Sequence, residues 1–372
     1  MKILILNWKD PKNPDVGGAE IILYELAKRW IKKGHQTTWF CRSFKNTLPE
    51  EIIDGIKIVR KGNRLTTYLE AFFYYKALKE KPDLVIDVLN TIFWQTPLYV
   101  KKGKRLAYVN QLAQEVFFYE LPPFISHLAY LLESFEFKTY KDTPFLCYSK
   151  STKEDLIKVE IPARNINLFP LGLDHGRYFP GEKAKEPLFL CVSRLVRMKR
   201  TDLAIQAMKM VVKKYSQARL AIVGYGYQKE ELGKLRQKLN LGENVFFADE
   251  DILFFKKTKK DKKIELMQKA WALLFPSVKE GWGMTVTECA ACGTPAIVTN
   301  VTGLRDSVIR NKTGLVLSRN PTPRELALAI IRIIEDKDLR EKLSENAIEW
   351  SKNFTWDESV NVSLRFLESL VK

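Results

Sequence analysis

Histidine is nearly absent from this 372-residue chain, cysteine is sparse and odd in number, and acidic residues are outnumbered. Each shortage removes a class of protein. The three histidines follow the first helical pattern (His35), sit within an aromatic helical pattern (His127) and fall in a Pro/Gly-rich stretch (His175), so none stands as a general base. The five cysteines (Cys41, Cys147, Cys191, Cys289, Cys292) lie mostly inside apolar runs, as reduced buried thiols do. Cys289 and Cys292 form a CxxC with no second pair and no nearby histidine, on a predicted helix, and read as packing residues. No window reaches the roughly 18 uninterrupted apolar residues of a membrane span. The apolar run at the N-terminus extends only from Ile3 to Leu6, short of a secretory signal core. The expectation is a cytoplasmic chain that does not span a bilayer. The acidic deficit, 44 against 61 basic side chains, gives +17 and favours an anionic partner: nucleic acid, a phosphorylated small molecule or an acidic membrane surface. The densest basic run, KKTKKDKK at 256–263, reads either as a solvated loop and helix start or as a membrane or polyanion patch.

What is present is alternation. The length suits two domains, and 46% apolar residues suffice to bury a core in each. In the first half, strand-like runs at 2–7, 36–41, 83–88, 104–109, 144–148 and 166–169 alternate with helical patterns near 18–33, 66–80, 124–140 and 151–159. Residues 170–187 break the pattern with three prolines and three glycines and form the candidate linker. Alternation then resumes, with strands at 188–193, 219–223, 244–248, 271–275, 296–300 and 314–317 and helices at 202–215, 227–239, 262–270, 284–292, 323–335 and 337–349. An amphipathic helix from 354 to 370 closes the chain. Capping boxes are expected at Ser151/Glu154 and Thr355/Glu358. The pattern predicts two doubly wound α/β domains with mainly parallel sheets and a cleft between them, ligands binding at the loops that follow strands.

Three such loops carry chemistry. After the first strand, Gly17 and Gly18 precede a helix whose free amides suit an anion, although a plain glycine turn gives the same letters. In the second domain, the run at 188–193 ends in Ser193-Arg194, and Lys199 follows just ahead of a helix that Thr201 can cap. Two cations there form a clamp suited to a diphosphate, and two surface basic residues would look similar. Finally, the run at 271–275 leads into PSVKEGWG, placing Glu280 in a loop and Glu288 in the second turn of a helix. The amides of Gly283, Met284 and Thr285 at its start favour phosphate, whereas the two carboxylates would be repelled by it. Glu280 and Glu288 therefore make sense against neutral hydroxyls on either side of a diphosphate, the layout of a nucleotide sugar.

GGAE at 17–20, SRLVRMKRTDLAIQA at 193–207 and EGWGMTVTECAACGTPAI at 280–297 together resemble glycosyltransferase family 4, and the likeness covers nearly the whole chain, including PLGLD at 170–174. The resemblance implies the GT-B architecture of two facing Rossmann-like domains with an interdomain cleft, and transfer with retention of anomeric configuration. It implies an acceptor-binding domain at 1–175, a nucleotide-sugar-binding domain at 176–353 and a helix at 354–372 crossing back to the first. By the same likeness Glu288 would hold ribose hydroxyls, Glu280 the donor sugar and Arg194 with Lys199 the diphosphate. Gly18 would lie under the donor phosphate or the acceptor, and no cofactor or divalent metal would be needed. One departure is Asn110, which stands after the run at 104–109 where the family commonly has a histidine against the donor sugar. Asparagine still donates and accepts hydrogen bonds but does not titrate near neutral pH, and Asn110 also reads as a plain strand end.

Two aromatic stretches, 66–81 and 115–141, read as helix core or, with their lysines, as an interfacial surface resting on anionic lipid at the cytoplasmic face of the membrane. The expected acceptor is a glycan or a lipid-linked molecule. A nucleotide-sugar epimerase of the same architecture and a basic nucleic-acid-binding protein are the competing readings, the latter without a recognition helix or RNA-binding signature.

Overall fold

Strand runs buried on both faces, such as Leu84–Leu89, where Asp87 is the one polar residue and every residue is buried, suit parallel sheets covered by helices. The computed structural model, which describes residues 1–248 and 259–371, arranges them in two compact units. The first comprises Met1–Gln114, His127–Gly172 and the chain from Phe354; the second comprises Glu115–Ser126 and Leu173–Asn353. The division at 172/173 falls inside the expected linker. Residues 115–126, which the sequence reading put in the N-terminal domain, belong to the second unit.

The first unit holds β1 (Lys2–Leu6), β2 (Gln36–Cys41), β3 (Glu50–Ile53), β4 (Ile56–Arg60), β5 (Leu84–Leu89), β6 (Arg105–Val109), β7 (Phe145–Cys147) and β8 (Ile166–Leu168). Their order is β3-β4-β2-β1-β5-β6-β7-β8, parallel except between β3 and β4. That antiparallel hairpin was missed by the sequence reading. Its turn is Asp54-Gly55, both at positive φ (47° and 82°), the two-residue turn whose twist matches the flanking strands. Helices α1 (Gly18–Lys32), α2 (Thr67–Ala77), α3 (Phe117–Glu120), α4 (Pro123–Thr139) and α5 (Lys150–Lys158) follow in chain order, α3 lying in the second unit. The cap of α5 is a correction: Ser149, not Ser151, accepts from the Thr152 amide at 3.0 Å, because Ser151 is already inside the helix.

The second unit holds β9 (Leu188–Val192), β10 (Arg219–Val223), β11 (Val245–Phe247), β12 (Ala272–Phe275), β13 (Ala296–Thr299) and β14 (Gly314–Leu317), all parallel in the order β11-β10-β9-β12-β13-β14. Its helices are α6 (Thr201–Val212), α7 (Lys229–Lys238), α8 (Lys259–Lys269), α9 (Met284–Ala291), α10 (Leu304–Ser307), α11 (Pro323–Glu335) and α12 (Lys337–Ser351). The core is built where Leu203, Ala207 and Val211 of α6 meet Leu326, Ile330 and Ile333 of α11 over the sheet. Thr201 does not cap α6; it is the first helical residue, and Arg200 before it is left-handed with φ 52°.

The last helix, α13 (Trp356–Val371), returns to the first unit, where the Trp30 indole of α1 donates to Ser363 Oγ at 3.3 Å. Half of its expected capping box is present: Thr355 Oγ1 accepts from the Glu358 amide at 3.3 Å. All five cysteines are buried free thiols, in keeping with a packing role. The aromatic helices divide by face. Ala71 and Tyr75 of α2 and Phe137 of α4 are core, whereas Leu69, Phe73, Leu128, Leu131, Leu132 and Phe135 are exposed. Among the described residues no helix is long and apolar enough to cross a membrane.

Candidate functional site

In the second unit the chain runs outward from β9 through β10 to β11, then restarts beside β9 with β12 and proceeds the other way. That reversal is a topological switch point, and ligands of open α/β sheets bind outside the carboxyl ends of the strands there. Arg194 follows β9 and Glu280 follows β12, so topology alone puts them at the same edge.

The two loops are tied together. The Val278 amide donates to the Met198 carbonyl at 2.9 Å, and the Met198 amide donates to the Glu120 carboxylate at 2.8 Å. Lys199, next in the chain, sends its ammonium to the Glu280 carboxylate, with their side chains only 10% and 12% exposed. A charge pair this buried is held in one geometry, unlike a surface pair. Arg194 is exposed and forms no ion pair with a described residue. The Glu280 amide donates to the Thr302 carbonyl at 3.1 Å, and Gly303 packs so closely that an added Cβ would sit 2.2 Å from the Glu280 oxygen. With φ at 79°, Gly303 serves both the close approach and the backbone turn.

Helix α9 opens from Gly283, left-handed at φ 91°. The amides of Met284 and Thr285 in its first turn have no intrahelical acceptor and form the positive end of the helix. Glu288 is buried one turn further on. Its carboxylate accepts from Lys263 at 2.6 Å and lies beside Tyr178, whose phenol is raised above its ordinary range by burial and then by that carboxylate. Lys263 is the last residue of the basic run at 256–263. Residues 256–258 lie outside the described residues, and Lys262 is buried with its ammonium on the Ala248 carbonyl at 2.8 Å.

The structure thus joins Glu280 to Lys199 but gives Glu288 a cation, Lys263, that the sequence reading did not select. It also missed Glu115, which accepts from Lys279 at 2.8 Å and Arg319 at 2.6 Å. Burial works against that carboxylate, but the Lys279 ammonium outweighs it and holds the group below its usual range. Lys279 precedes Glu280 and, with a side chain 3% exposed, fixes the loop from beneath. Its neighbour in the motif was the signal for it.

In the first unit the switch point lies between β1 and β5, and the residues just past them meet: Asn90 Nδ2 donates to Asn7 Oδ1 at 3.1 Å. Gly18 starts α1 and Gly17 caps it, its amide donating to the Glu20 carboxylate at 2.8 Å. Neither glycine is left-handed, and a Cβ on Gly17 would meet only the Glu20 carboxylate, at 3.2 Å, so backbone conformation does not explain the pair. Asn110, just past β6, is 9% exposed; its Oδ1 accepts from the Tyr148 hydroxyl at 2.8 Å, leaving its NH₂ as the available donor.

Comparison with known proteins gives the family and the fold. The family described as Glycosyltransferase Family 4 matches residues 16–177, and that described as Glycosyl transferases group 1 matches residues 177–350. An uncharacterized glycosyltransferase of Methanocaldococcus jannaschii is 26% identical and is covered over 97% of both chains. The GDP-mannose-dependent alpha-(1-6)-phosphatidylinositol monomannoside mannosyltransferase of Mycobacterium tuberculosis is 27% identical over 53% of this chain and 54% of its own. Among solved structures, sucrose-phosphate synthase from Thermosynechococcus elongatus superposes with a TM-score of 0.82 at 22% identity, over 99% of this chain and 98% of that one. Anabaena HepE in complex with UDP-glucose gives 0.73 at 18% identity, over 100% and 99%.

Proposed function

Because the chain belongs to glycosyltransferase family 4 and has the GT-B fold, we propose that it moves a hexose-type sugar from a nucleoside diphosphate sugar to a hydroxyl of a glycan or lipid-linked acceptor, with retention at the anomeric carbon. The observation that carries this reading is the Lys199–Glu280 pair at the switch point of the second unit, next to the positive end of α9. A cation and a carboxylate side by side suit a ligand that is anionic at one group and polyhydroxylic at the next. Lys199, Arg194 and the first-turn amides of α9 bind the diphosphate; Glu280 accepts from hydroxyls of the donor sugar, and Glu288 from those of the ribose. Asn110 offers its amide to the donor sugar, and Gly17 and Gly18 at the start of α1 lie by its phosphate or by the acceptor.

The reaction asks little proton chemistry of the protein. The bond from the anomeric carbon to the diphosphate oxygen breaks while the acceptor oxygen bonds on the same face. The acceptor's proton passes to the departing diphosphate oxygen. Negative charge grows on the leaving group, and fixed cations and amide dipoles stabilise it more than they stabilise the bound donor. No divalent metal enters this scheme. The relatives compared above are transferases by name, which favours transfer over epimerisation.

A thermal-shift screen against nucleotide sugars and their free nucleotides tests the donor half, since a ligand of the folded state raises the apparent Tm. A hit is expected that is lost in Lys199→Ala and in Glu288→Ala and is indifferent to chelator. Conversion of the donor to an isomer with no acceptor present would overturn transfer. The exposed leucines and phenylalanines of α2 and α4, with Lys76 and Lys138 against the Phe72 and Phe135 rings at 5.7 and 5.9 Å, support a peripheral position on anionic lipid at the cytoplasmic face. Failure to sediment with anionic vesicles at low salt would remove that part.

A further inference from the structure

In the first unit, the loops that follow β1 and β2 enclose a cavity of about 570 Å³. Lys12, Asn13 and Asp15 line it from the first loop, and Arg42, Phe44 and Lys45 from the second. Its charges are left unanswered in a way that others nearby are not. Beneath it, Arg60 is buried against Asp10 and Glu51, and Lys12 on the wall is also bound to Glu51. Arg42 and Lys45, by contrast, form no ion pair with a described residue. Arg42 is held in place by the Trp8 ring, 4.8 Å from its guanidinium, and its buried Nε has no hydrogen-bond partner. Arg64 approaches the same ring at 5.5 Å. Asn13 is 2% exposed; its Oδ1 accepts from the Asp15 amide at 3.0 Å, while its Nδ2 is buried with no partner.

Buried donors in folded proteins are almost always satisfied, and a cation stacked on an indole is oriented, not merely nearby. The wall therefore presents a fixed guanidinium, an ammonium and an amide, all donors. The one acid on it is the exposed Asp15, outnumbered there by Lys12, Arg42 and Lys45. The volume lies within the range of small-ligand pockets and exceeds what a bare ion needs. We propose that this cavity recognises a phosphate group carried by the acceptor, held by Arg42, Lys45 and Asn13, and that it selects phosphate-bearing acceptors over neutral ones. The proposal rests on the transferase reading for the word acceptor. The binding chemistry stands on the cavity alone.

The indole N–H signals of Trp8 and Trp282 in a ¹⁵N-labelled full-length chain, each identified by its loss in the Trp→Phe variant, report the two regions separately. Titration with inorganic phosphate and with glucose 6-phosphate is expected to move the Trp8 signal saturably, and glucose is expected to leave it in place. A short-chain, water-soluble phosphatidylglycerol forms the second arm; whichever of the phosphosugar and the phospholipid binds more tightly identifies the source of the phosphate. The double variant Arg42→Gln/Lys45→Gln should weaken binding about tenfold or more, the loss expected for two charge-assisted bonds. Lys45→Gln alone, at an exposed position, should weaken it about threefold and keeps the test usable if the double variant fails to fold. A Trp8 signal that ignores all three phosphate probes, or that responds equally in the variants, overturns the proposal. A Trp282 signal that ignores every nucleotide sugar defeats the transferase reading instead, whatever Trp8 does.

Discussion

Charges are handled differently at two places, the loops around Glu280 and Glu288 in the second unit and the surroundings of the Trp8 cavity in the first. In the second, Glu280, Glu288 and Glu115 each hold a lysine: Lys199, Lys263 and Lys279. In the first, Arg42, Arg64 and Lys45 cluster about Trp8 and its cavity with no acid bound to them, and a half-buried acid, Glu136, has only the neutral Gln95 amide and the Phe93 N–H. The difference teaches what each region is built to meet. A paired site keeps its geometry at small electrostatic cost and offers both signs to a ligand that is part anion and part polyol. An unpaired cluster offers one sign, which suits a group that accepts hydrogen bonds and donates none.

The largest expected effect comes from breaking the central pair of the second unit. Lys199→Ala should lower kcat/KM for transfer by about 10²–10³-fold, the range for losing one group that stabilises charge in the transition state. Because the buried Glu280 carboxylate is left without its cation, stability should fall as well, and Lys199→Ala/Glu280→Gln, which removes the orphaned charge, separates the two effects. If that variant recovers rate together with stability, the pair is a structural clamp and the contrast between the two sites loses its functional meaning.

Gly303→Ala asks whether the pairing depends on backbone. An added Cβ would press on the Glu280 carbonyl at 2.2 Å from a residue already at φ 79°, with no flexible side chain to yield. A loss of about 2 kcal/mol in denaturant unfolding is expected, with reduced activity from displacement of Glu280. Wild-type stability and rate in this variant would show that the loop rearranges freely and that the Lys199–Glu280 geometry is not imposed. Glu288→Gln is gentler. It keeps the size and removes the charge answered by Lys263, so donor KM should rise about tenfold with kcat nearly unchanged, the mark of a binding contact. A fall in kcat instead would move Glu288 from ribose binding to the chemical step.

How far all this was legible in the sequence also differs between the units. The second was readable because its elements are strongly periodic and its motif is contiguous: Glu280, the Gly283 turn and Glu288 lie within a few residues of one another on β12, its loop and α9. Lys263 was not readable, because its pairing with Glu288 spans a distance in sequence that no local pattern encodes, and its lysine-rich surroundings resemble a solvated face. In the first unit the parallel strands were found from their apolar runs. The β3–β4 hairpin was missed although Asp54-Gly55 is a strong turn signal, because alternation of strand and helix was expected to continue unbroken. The α5 cap slipped from Ser149 to Ser151 because both hydroxyls precede the apolar helical face and only geometry separates them. Asn110 was singled out by likeness alone; its bond to Tyr148 depends on β6 and β7 being neighbours.

The smallest effect tests the first unit's side of the contrast, an acid without a cation. Burial, aided by the nearby Glu133 carboxylate, pushes Glu136 up to about 7, although the Phe93 N–H and the Gln95 amide pull it down. In the unfolded chain the same carboxyl releases its proton near the ordinary value of 4.5. Between these values the unfolded state ionises while the folded state holds the proton, so this group's contribution to stability is whole below about pH 4.5 and is lost as pH rises through 7. A tenfold change in proton affinity corresponds to about 1.4 kcal/mol, and partial exposure reduces what is realised. Glu136→Gln keeps the shape and cannot ionise. It should therefore be more stable than wild type by about 1–2 kcal/mol at pH 8 and indistinguishable from it near pH 4.5. A parallel pair of stability curves across that interval would mean that Glu136 releases its proton in the fold as it does in the unfolded chain, and that this acid without a cation is no burden to the first unit.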